Sequence, residues 1–423
     1  MSEVCLTYRE PGGTPSVRLP LSKSIAARLM VLAHLAGSDP GYLVEGEEPL
    51  CDDLRVMLSG IRAIRRLGGQ PGIAEIDLRD SGTAKHLLTT LCACTPGLHA
   101  VLRQSPRLAE RPSASLAAAL RIYSSGKVSF RPDGIIQVTG GEYIGLDRPN
   151  MLDTSRSSQV CTALMLLAST GNGPTRLFLP LNGVSTSYIR MTAALMECCG
   201  MEACYDPQTL SVTVVPGSCL PPATELLETD WSAAAFFYLF ALASGIPLSL
   251  PRLKRPEDSV QGDSAAAAFF AKLGVASEFT PVGAVITPGS LPQDASLDVS
   301  LRDCPDLVPP LAVACALAGV PFLFRDIAHL RLKESDRLAA ISEALSLCGL
   351  RVDTGPDSLS WDGRQTLHTP SQPIHTCADH RIAMAFAMIA PRFPGIRLDN
   401  LGCADKSFPA FREQIQRLGV LIK

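Results

Sequence analysis

Six apolar runs recur through the chain, at 24–45, 82–103, 157–180, 231–252, 306–325 and 380–398. Each is a helix-length stretch rich in Ala, Leu and Met, then a Gly- or Pro-bearing turn, then a strand-length stretch. Their starts are separated by 58, 75, 74, 75 and 74 residues. A period of this length marks a supersecondary unit whose copies bury their apolar faces against one another.

About 25–30 residues into each unit comes a second, more amphipathic stretch with apolar residues at three- and four-residue spacing. These begin near Asp52, Ser113, Ser185, Asp263, Lys333 and Lys406. Most stop at a glycine, as in Leu67-Gly68, Cys199-Gly200, Leu273-Gly274 and Leu418-Gly419. Strand-like pieces joined by Gly/Pro/Asp turns follow, for example 127–131 with 134–139, and 350–353 with 358–361. The unit reads helix, strand, helix, strand, strand, with a strand at the N-terminus opening the series. Six such units exceed one ordinary core, so the expectation is an α/β chain of two domains, three units each, dividing near Glu228. Architecture alone also admits a repeat scaffold without chemistry.

Composition narrows the classes. Of 423 residues, 46% are apolar and 19% charged, which excludes a disulfide-stapled peptide and a disordered chain. A net charge of −3 argues against nucleic-acid binding, and the densest basic cluster, Arg62, Arg65 and Arg66, reads as a solvated helix face. The 14 cysteines are scattered without a C-x-x-C pair or histidines at zinc spacing, so they read as reduced core residues of a cytoplasmic protein and not as metal ligands. Residues 231–251 and 307–324 approach the length of a membrane span, yet Gly245-Ile246-Pro247 and Gly319-Val320-Pro321 break each into a helix and a strand. The N-terminus carries charge early and shows no secretory signal. No P-loop, G-x-S-x-G or H-E-x-x-H motif occurs, and His34, His99, His368 and His375 read as structural or exposed.

Helix starts hold anions, because their first N–H groups lack partners and the dipole is positive there. Unusual polar residues collect at these points: Lys23, Ser24 and Arg28; Gly82 and Arg111; Ser157, Ser158 and Gln159; Ser185 and Tyr188; Asp306; Lys333, Glu334 and Arg337; Arg381; Lys406. Serine and aspartate there are ordinary caps. A cation opposes the dipole unless a bound anion reverses the sign. Three of the chain's eight lysines, Lys23, Lys333 and Lys406, fall at such starts. With Arg28, Arg111, Arg337 and Arg381 they are expected to form a cationic pocket for phosphate and carboxylate groups, holding Asp306 and Glu334 inside it.

At these residues the sequence resembles the EPSP synthases, the 3-phosphoshikimate 1-carboxyvinyltransferases of the enolpyruvyl transferase family. The likeness runs from Ser22-Lys23-Ser24 to Lys406-Ser407-Phe408-Pro409. Its most specific strings are Lys333-Glu334-Ser335-Asp336-Arg337-Leu338, Asp379-His380-Arg381-Ile382-Ala383-Met384 and Ser157-Ser158-Gln159. The resemblance implies a two-domain inside-out α/β barrel of six βαβαββ units, three per domain, closing on substrate. Residues 20–228 would form one domain; 1–19 with 229–423 would form the other, completed by the N-terminal strand. It implies transfer of the enolpyruvyl group of phosphoenolpyruvate to the 5-hydroxyl of shikimate 3-phosphate, in chorismate and aromatic amino acid biosynthesis. No metal or organic cofactor is implied, and the protein would act as a cytoplasmic monomer without nucleic-acid or membrane partners.

By the same resemblance Lys23, Gly82, Arg111, Gln159, Arg337, Arg381 and Lys406 would hold phosphoenolpyruvate. Lys23, Ser24, Arg28, Ser157, Ser158, Gln159, Ser185, Tyr188, Asp306, His329 and Lys333 would hold shikimate 3-phosphate. Asp306 would take the hydroxyl proton; Glu334, with Lys23 and Lys406, would handle the proton on the phosphoenolpyruvate carbon. The chain departs from the family at Leu21, where glycine is usual, at Ala26-Ala27, and at His329, where many members carry Asn. The usual Asn-Ala-Gly-Thr-Ala-Met-Arg segment reads Asp80-Ser81-Gly82-Thr83-Ala84-Lys85-His86. Asp80 would place negative charge beside the implied phosphate, with Lys85 or His86 to compensate. Two other readings are a UDP-N-acetylglucosamine enolpyruvyl transferase, disfavoured because 103–112 carries no Cys, and a weakened or non-catalytic anion-binding homologue.

Overall fold

The computed structural model describes residues 3–46, 49–68, 70, 72–146 and 151–423. Met1 and Ser2, part of the stretch read above for a signal, lie outside the described residues. The chain is α/β and packs as two compact units, Lys23–Leu227 and the paired segments Met1–Ser22 and Glu228–Lys423.

Residues 73–139 display a complete repeat. Strand Ile73–Arg79, helix Gly82–Ala93, strand His99–Gln104, helix Ala114–Tyr123 and strands Lys127–Phe130 and Ile135–Thr139 follow in order. The first two strands are parallel, with Ile73 beside His99, and the last joins the second antiparallel, with Thr139 beside His99. The sheet therefore runs first, second, fourth, third. Residues 297–361 repeat this order, though the third strand shortens to Asp353–Thr354. In three further repeats the first strand is reduced to a single parallel bridge: Met151 to Phe178, Ser16 to Ser249 and Ile374 to Leu398.

Two repeats differ from the sequence reading. The N-terminal strand does not open the first repeat; Val4–Tyr8 lies between Ile396–Leu398 and Val420–Ile422 and is the fourth strand of the sixth. The first repeat keeps its helices, Lys23–Leu35 and Asp52–Leu67, but the next strand among the described residues, Ile73–Arg79, already belongs to the second. Among the described residues no hairpin lies between the two, which accounts for the spacing of 58 where the others are 74 or 75.

The long apolar runs are helices buried on every side. Trp231–Ser244 is buried without a break from Trp231 to Ala241, and Val308–Ala318 from Val308 to Ala316. Each buried Leu or Phe contributes about 1.5–3 kcal/mol. Both helices end at a glycine in the left-handed region, Gly245 (φ 76°) and Gly319 (φ 70°), where a side chain would be strained. Strands Leu248–Pro251 and Phe322–Arg325 follow. Among the described residues no helix is long and apolar enough to cross a membrane. None of the 14 cysteines is in a disulfide; eight are buried, whereas Cys198 and Cys204 are exposed and so are not core residues.

Candidate active site

In the unit Lys23–Leu227 the strand–helix junction at Gly82 gathers a helix start, a guanidinium and a side-chain amide. Ser81 caps the helix, its side chain accepting from Ala84 N. A Cβ on Gly82 would lie 3.0 Å from Arg111 Nη1, so the glycine admits a guanidinium to the helix start. Gln159, the first residue of helix Gln159–Ala168, donates from Nε2 to Thr83 Oγ1 at 3.3 Å. Arg111, Gln159 and the first N–H groups of the helix thus converge on one point.

Arg28 lies inside the same unit, 4% exposed. Its Nε donates to Thr192 Oγ1 at 2.8 Å, Nη1 to Ser24 O at 2.7 Å, and Nη2 to Thr162 Oγ1 at 3.2 Å. The guanidinium sits 5.7 Å from the centre of the Tyr188 ring. All these acceptors are neutral, and burial pushes its pKa down to about 10. Among the described residues no carboxylate pairs with it, and a buried cation so placed is a strong demand for an anion. Lys23 opens helix Lys23–Leu35 and pairs with Asp53 at 2.9 Å. Ser157 Oγ accepts from Gln159 N at 3.2 Å, and Ser158 is buried ahead of the helix. Ser185, buried before helix Thr186–Cys198, holds φ 59° and ψ 39°, a left-handed conformation that costs a non-glycine residue about 1 kcal/mol or more.

The other unit carries a network of alternating charge. Arg337, 1% exposed at the first position of helix Arg337–Leu347, bonds three carboxylates: Asp306 at 2.7 Å, Glu334 at 2.7 Å and Asp379 at 2.9 Å. Burial lowers its pKa, but Asp379, Glu334 and Asp306 more than offset this and leave it raised. Asp306 also binds Arg381 at 2.6 Å, and Glu334 also binds Lys406 at 2.9 Å. Asp379 caps helix His380–Ala387 by accepting from Arg381 N at 3.0 Å. His329 is buried with neither ring nitrogen bonded, and burial, aided by Lys333, drops its pKa to about 3, so it is neutral.

The placement at helix starts holds for Lys23, Arg337 and Arg381 and fails for Lys333 and Lys406. Lys333 follows the 3₁₀ turn Ala328–Leu332 and Lys406 ends the turn Gly402–Lys406, while the helices begin at Arg337 and Phe411. Nor is Asp80 compensated as expected. It is exposed and accepts from the Ser105 hydroxyl, whereas Lys85 turns inward to Arg111 O at 3.2 Å and Leu108 O at 3.4 Å. His86 Nδ1 lies 2.8 Å from Gly82 O; burial lowers its pKa to about 4, making it a neutral ring that donates from Nδ1. Leu21 is buried and bridges to Thr229.

Sequence reasoning missed Asp53, Thr162, Thr192 and the counterion role of Asp379. It also missed Asp263, a buried carboxyl bonded to the Ser232 hydroxyl and raised to about 7 by burial and by Asp306. Asp379 was within reach, since it opens the string that carries Arg381.

The sequence pattern of the EPSP synthase (3-phosphoshikimate 1-carboxyvinyltransferase) family matches residues 14–415. The chain belongs to the EPSP synthase family. A 3-phosphoshikimate 1-carboxyvinyltransferase of Bacteroides fragilis is 33% identical over 415 residues, covering 96% of each chain. One from Methanosphaerula palustris is 31% identical, covering 95% of this chain and 96% of its own. The fold is that of an EPSP synthase from Acinetobacter baumannii, with a TM-score of 0.69 at 19% identity and coverage of 100% and 99%. An enolpyruvyl transferase of Streptomyces tendae also superposes, with a TM-score of 0.66 at 16% identity and the same coverage.

Proposed function

We propose that this member of the EPSP synthase family transfers the enolpyruvyl group of phosphoenolpyruvate to the 5-hydroxyl of shikimate 3-phosphate, releasing phosphate. The observation that carries the reading is the placement of Asp306 and Glu334 on shared cations: Asp306 on Arg337 and Arg381, Glu334 on Arg337 and Lys406. Two carboxylates so placed can move two different protons, and the cations beside them suit a substrate bearing carboxylate and phosphate.

In this reading Lys23, Gly82, Arg111, Gln159, Arg337, Arg381 and Lys406 take phosphoenolpyruvate. Ser24, Arg28, Ser157, Ser158, Gln159, Ser185 and Tyr188, with Asp306, His329 and Lys333, take shikimate 3-phosphate. Phosphoenolpyruvate competes with Asp306 and Glu334 for Arg337, and that exchange releases both carboxyl groups for proton transfer. Glu334, which takes up a proton from solvent once phosphoenolpyruvate has displaced it from Arg337, protonates the methylene carbon while the hydroxyl oxygen, giving its proton to the Asp306 carboxylate, attacks the adjacent carbon. The tetrahedral adduct then loses phosphate as Glu334 recovers the proton from the methyl group and Asp306 returns its own to the departing phosphate. The atoms balance without a further reactant.

We extend the proposal to the finer architecture, an inside-out barrel with domains 20–228 and 1–19 plus 229–423, and to a monomer working in the cytoplasm. The test is phosphate release by the purified protein given each substrate alone and both together. Release that needs both supports the transferase. No release, with shikimate 3-phosphate still bound tightly, would refute turnover and favour a weakened anion-binding homologue.

A further inference from the structure

We propose that Lys85 is a positioning residue for Arg111, tying the 106–111 turn from beneath and so setting the affinity of the Gly82 cradle for the phosphate of phosphoenolpyruvate. The inference rests on the reading of that cradle as part of the phosphoenolpyruvate site.

Lys85 lies one turn into helix Gly82–Ala93 and is 1% exposed. Its ammonium donates to Arg111 O at 3.2 Å and Leu108 O at 3.4 Å. Both carbonyls belong to the end of the short helical turn Pro106–Ala109 and the residues just after it, where the negative dipole end favours a cation. The turn closes through Arg111 N to Leu108 O at 3.2 Å. Lys85 therefore grips the main chain of the residue whose guanidinium reaches Gly82. Among the described residues no carboxylate pairs with it. A buried ammonium is unfavourable unless something compensates, so two backbone carbonyls are a thin return for mere packing.

The same geometry makes the grip depend on pH. Burial first, and the field of Arg111 second, lower Lys85 from 10.5 to about 8. His86 beside it on the helix is neutral at these pH values, so Arg111 is the charged group that faces it. Because the pKa of this cation is lowered, the ammonium is present below about pH 8 and is lost above it. A phosphate bound at Arg111 offsets the repulsion between the two cations and favours the protonated form. Binding and protonation are therefore linked, and affinity for phosphoenolpyruvate falls as pH rises past about 8.

The experiment is steady-state kinetics of the full-length protein, with Lys85→Met and Lys85→Gln, from pH 6.5 to 9.5. At pH 7 the Met variant should raise KM for phosphoenolpyruvate by about 10-fold or more, while kcat and KM for shikimate 3-phosphate move by no more than about 3-fold. The wild-type KM for phosphoenolpyruvate should climb toward the variant's value above pH 8, and both variants should be flat there. An unchanged KM, equal rises in both KM values, or the same pH profile in variant and wild type would overturn the proposal. Hydrogen exchange at residues 108–113 supplies a readout without turnover: faster exchange in Lys85→Met than in wild type is expected, and equal exchange would also overturn it. If the wild type releases no phosphate, the transferase reading fails, and the exchange comparison still decides whether Lys85 holds the turn.

Discussion

Replacing Arg28 by methionine should make the protein more stable and its substrate binding worse. The guanidinium is held by neutral oxygens, and its drop from the ordinary arginine value to about 10 corresponds to about 3 kcal/mol against the charged form inside the unit. The sign follows from linkage. A cation whose folded pKa lies below its unfolded value destabilises the fold at every pH below 10, and that cost is relieved only as pH rises from 10 toward the ordinary arginine value. Methionine fills much of the same volume and leaves few orphans. Thr192 Oγ1 already donates to Tyr188 O at 2.6 Å and lies 3.4 Å from Thr162 Oγ1. Allowing about 1 kcal/mol for lost hydrogen bonds, the net gain should be about 2 kcal/mol, or about 4–8 °C in the melting of the Lys23–Leu227 unit. Calorimetry measures the first effect. Isothermal titration with shikimate 3-phosphate measures the second, for which loss of a charge-assisted contact predicts a weakening of about 30-fold or more. A variant that melts lower than wild type, or that binds shikimate 3-phosphate as tightly, would refute the assignment of Arg28 as a cation kept for an anion.

Glu334→Gln should keep shikimate 3-phosphate binding but lose turnover by about two orders of magnitude or more, read as phosphate release; near-normal turnover would remove Glu334 from the proton steps. His329, lowered to about 3, supports the fold while neutral, so its contribution is full above 6.5 and is lost as pH falls from there toward 3. Acid denaturation followed by circular dichroism should therefore flatten over that window in His329→Leu; an unchanged slope would show that His329 does not carry it. Ser185→Gly should relieve the left-handed strain at φ 59° and raise stability by about 0.5–1 kcal/mol, while weakening shikimate 3-phosphate binding. A drop in melting temperature on that substitution would mean that the Ser185 side chain contributes more to stability than its backbone strain costs.

The repeat was legible because its central helices are buried all round: Trp231–Ser244 and Val308–Ala318 leave continuous apolar runs that only Gly245 and Gly319 interrupt. The shortened first repeat was also visible, as the odd spacing of 58, though not its cause. The partner of the N-terminal strand was hidden, since five residues of alternating burial say nothing about which edge they join. In the site, charge type was readable from single residues and pairing was not. Lys333 and Lys406 read as helix starts because a 3₁₀ turn and the first turn of an α-helix cannot be told apart over five residues. Asp379 looked like an ordinary cap, and it is one, but it also carries Arg337. That second duty depends on a contact across 42 residues of chain.

The placement of Val4–Tyr8 ties together segments far apart in the sequence: Cys5 N donates to Lys423 O at 2.9 Å and Lys423 N to Cys5 O at 2.9 Å. During synthesis the stretch Lys23–Leu227 is continuous and can complete its fold while the remainder is still being made. The first strand has no such option. At about 5–20 residues per second it waits roughly 20–80 s, as an unpaired edge, for the last residues of the chain. Joining the adjoining ends and opening the chain elsewhere would remove that wait, and a circular permutant of this kind should refold with less aggregation than the natural order of the same residues.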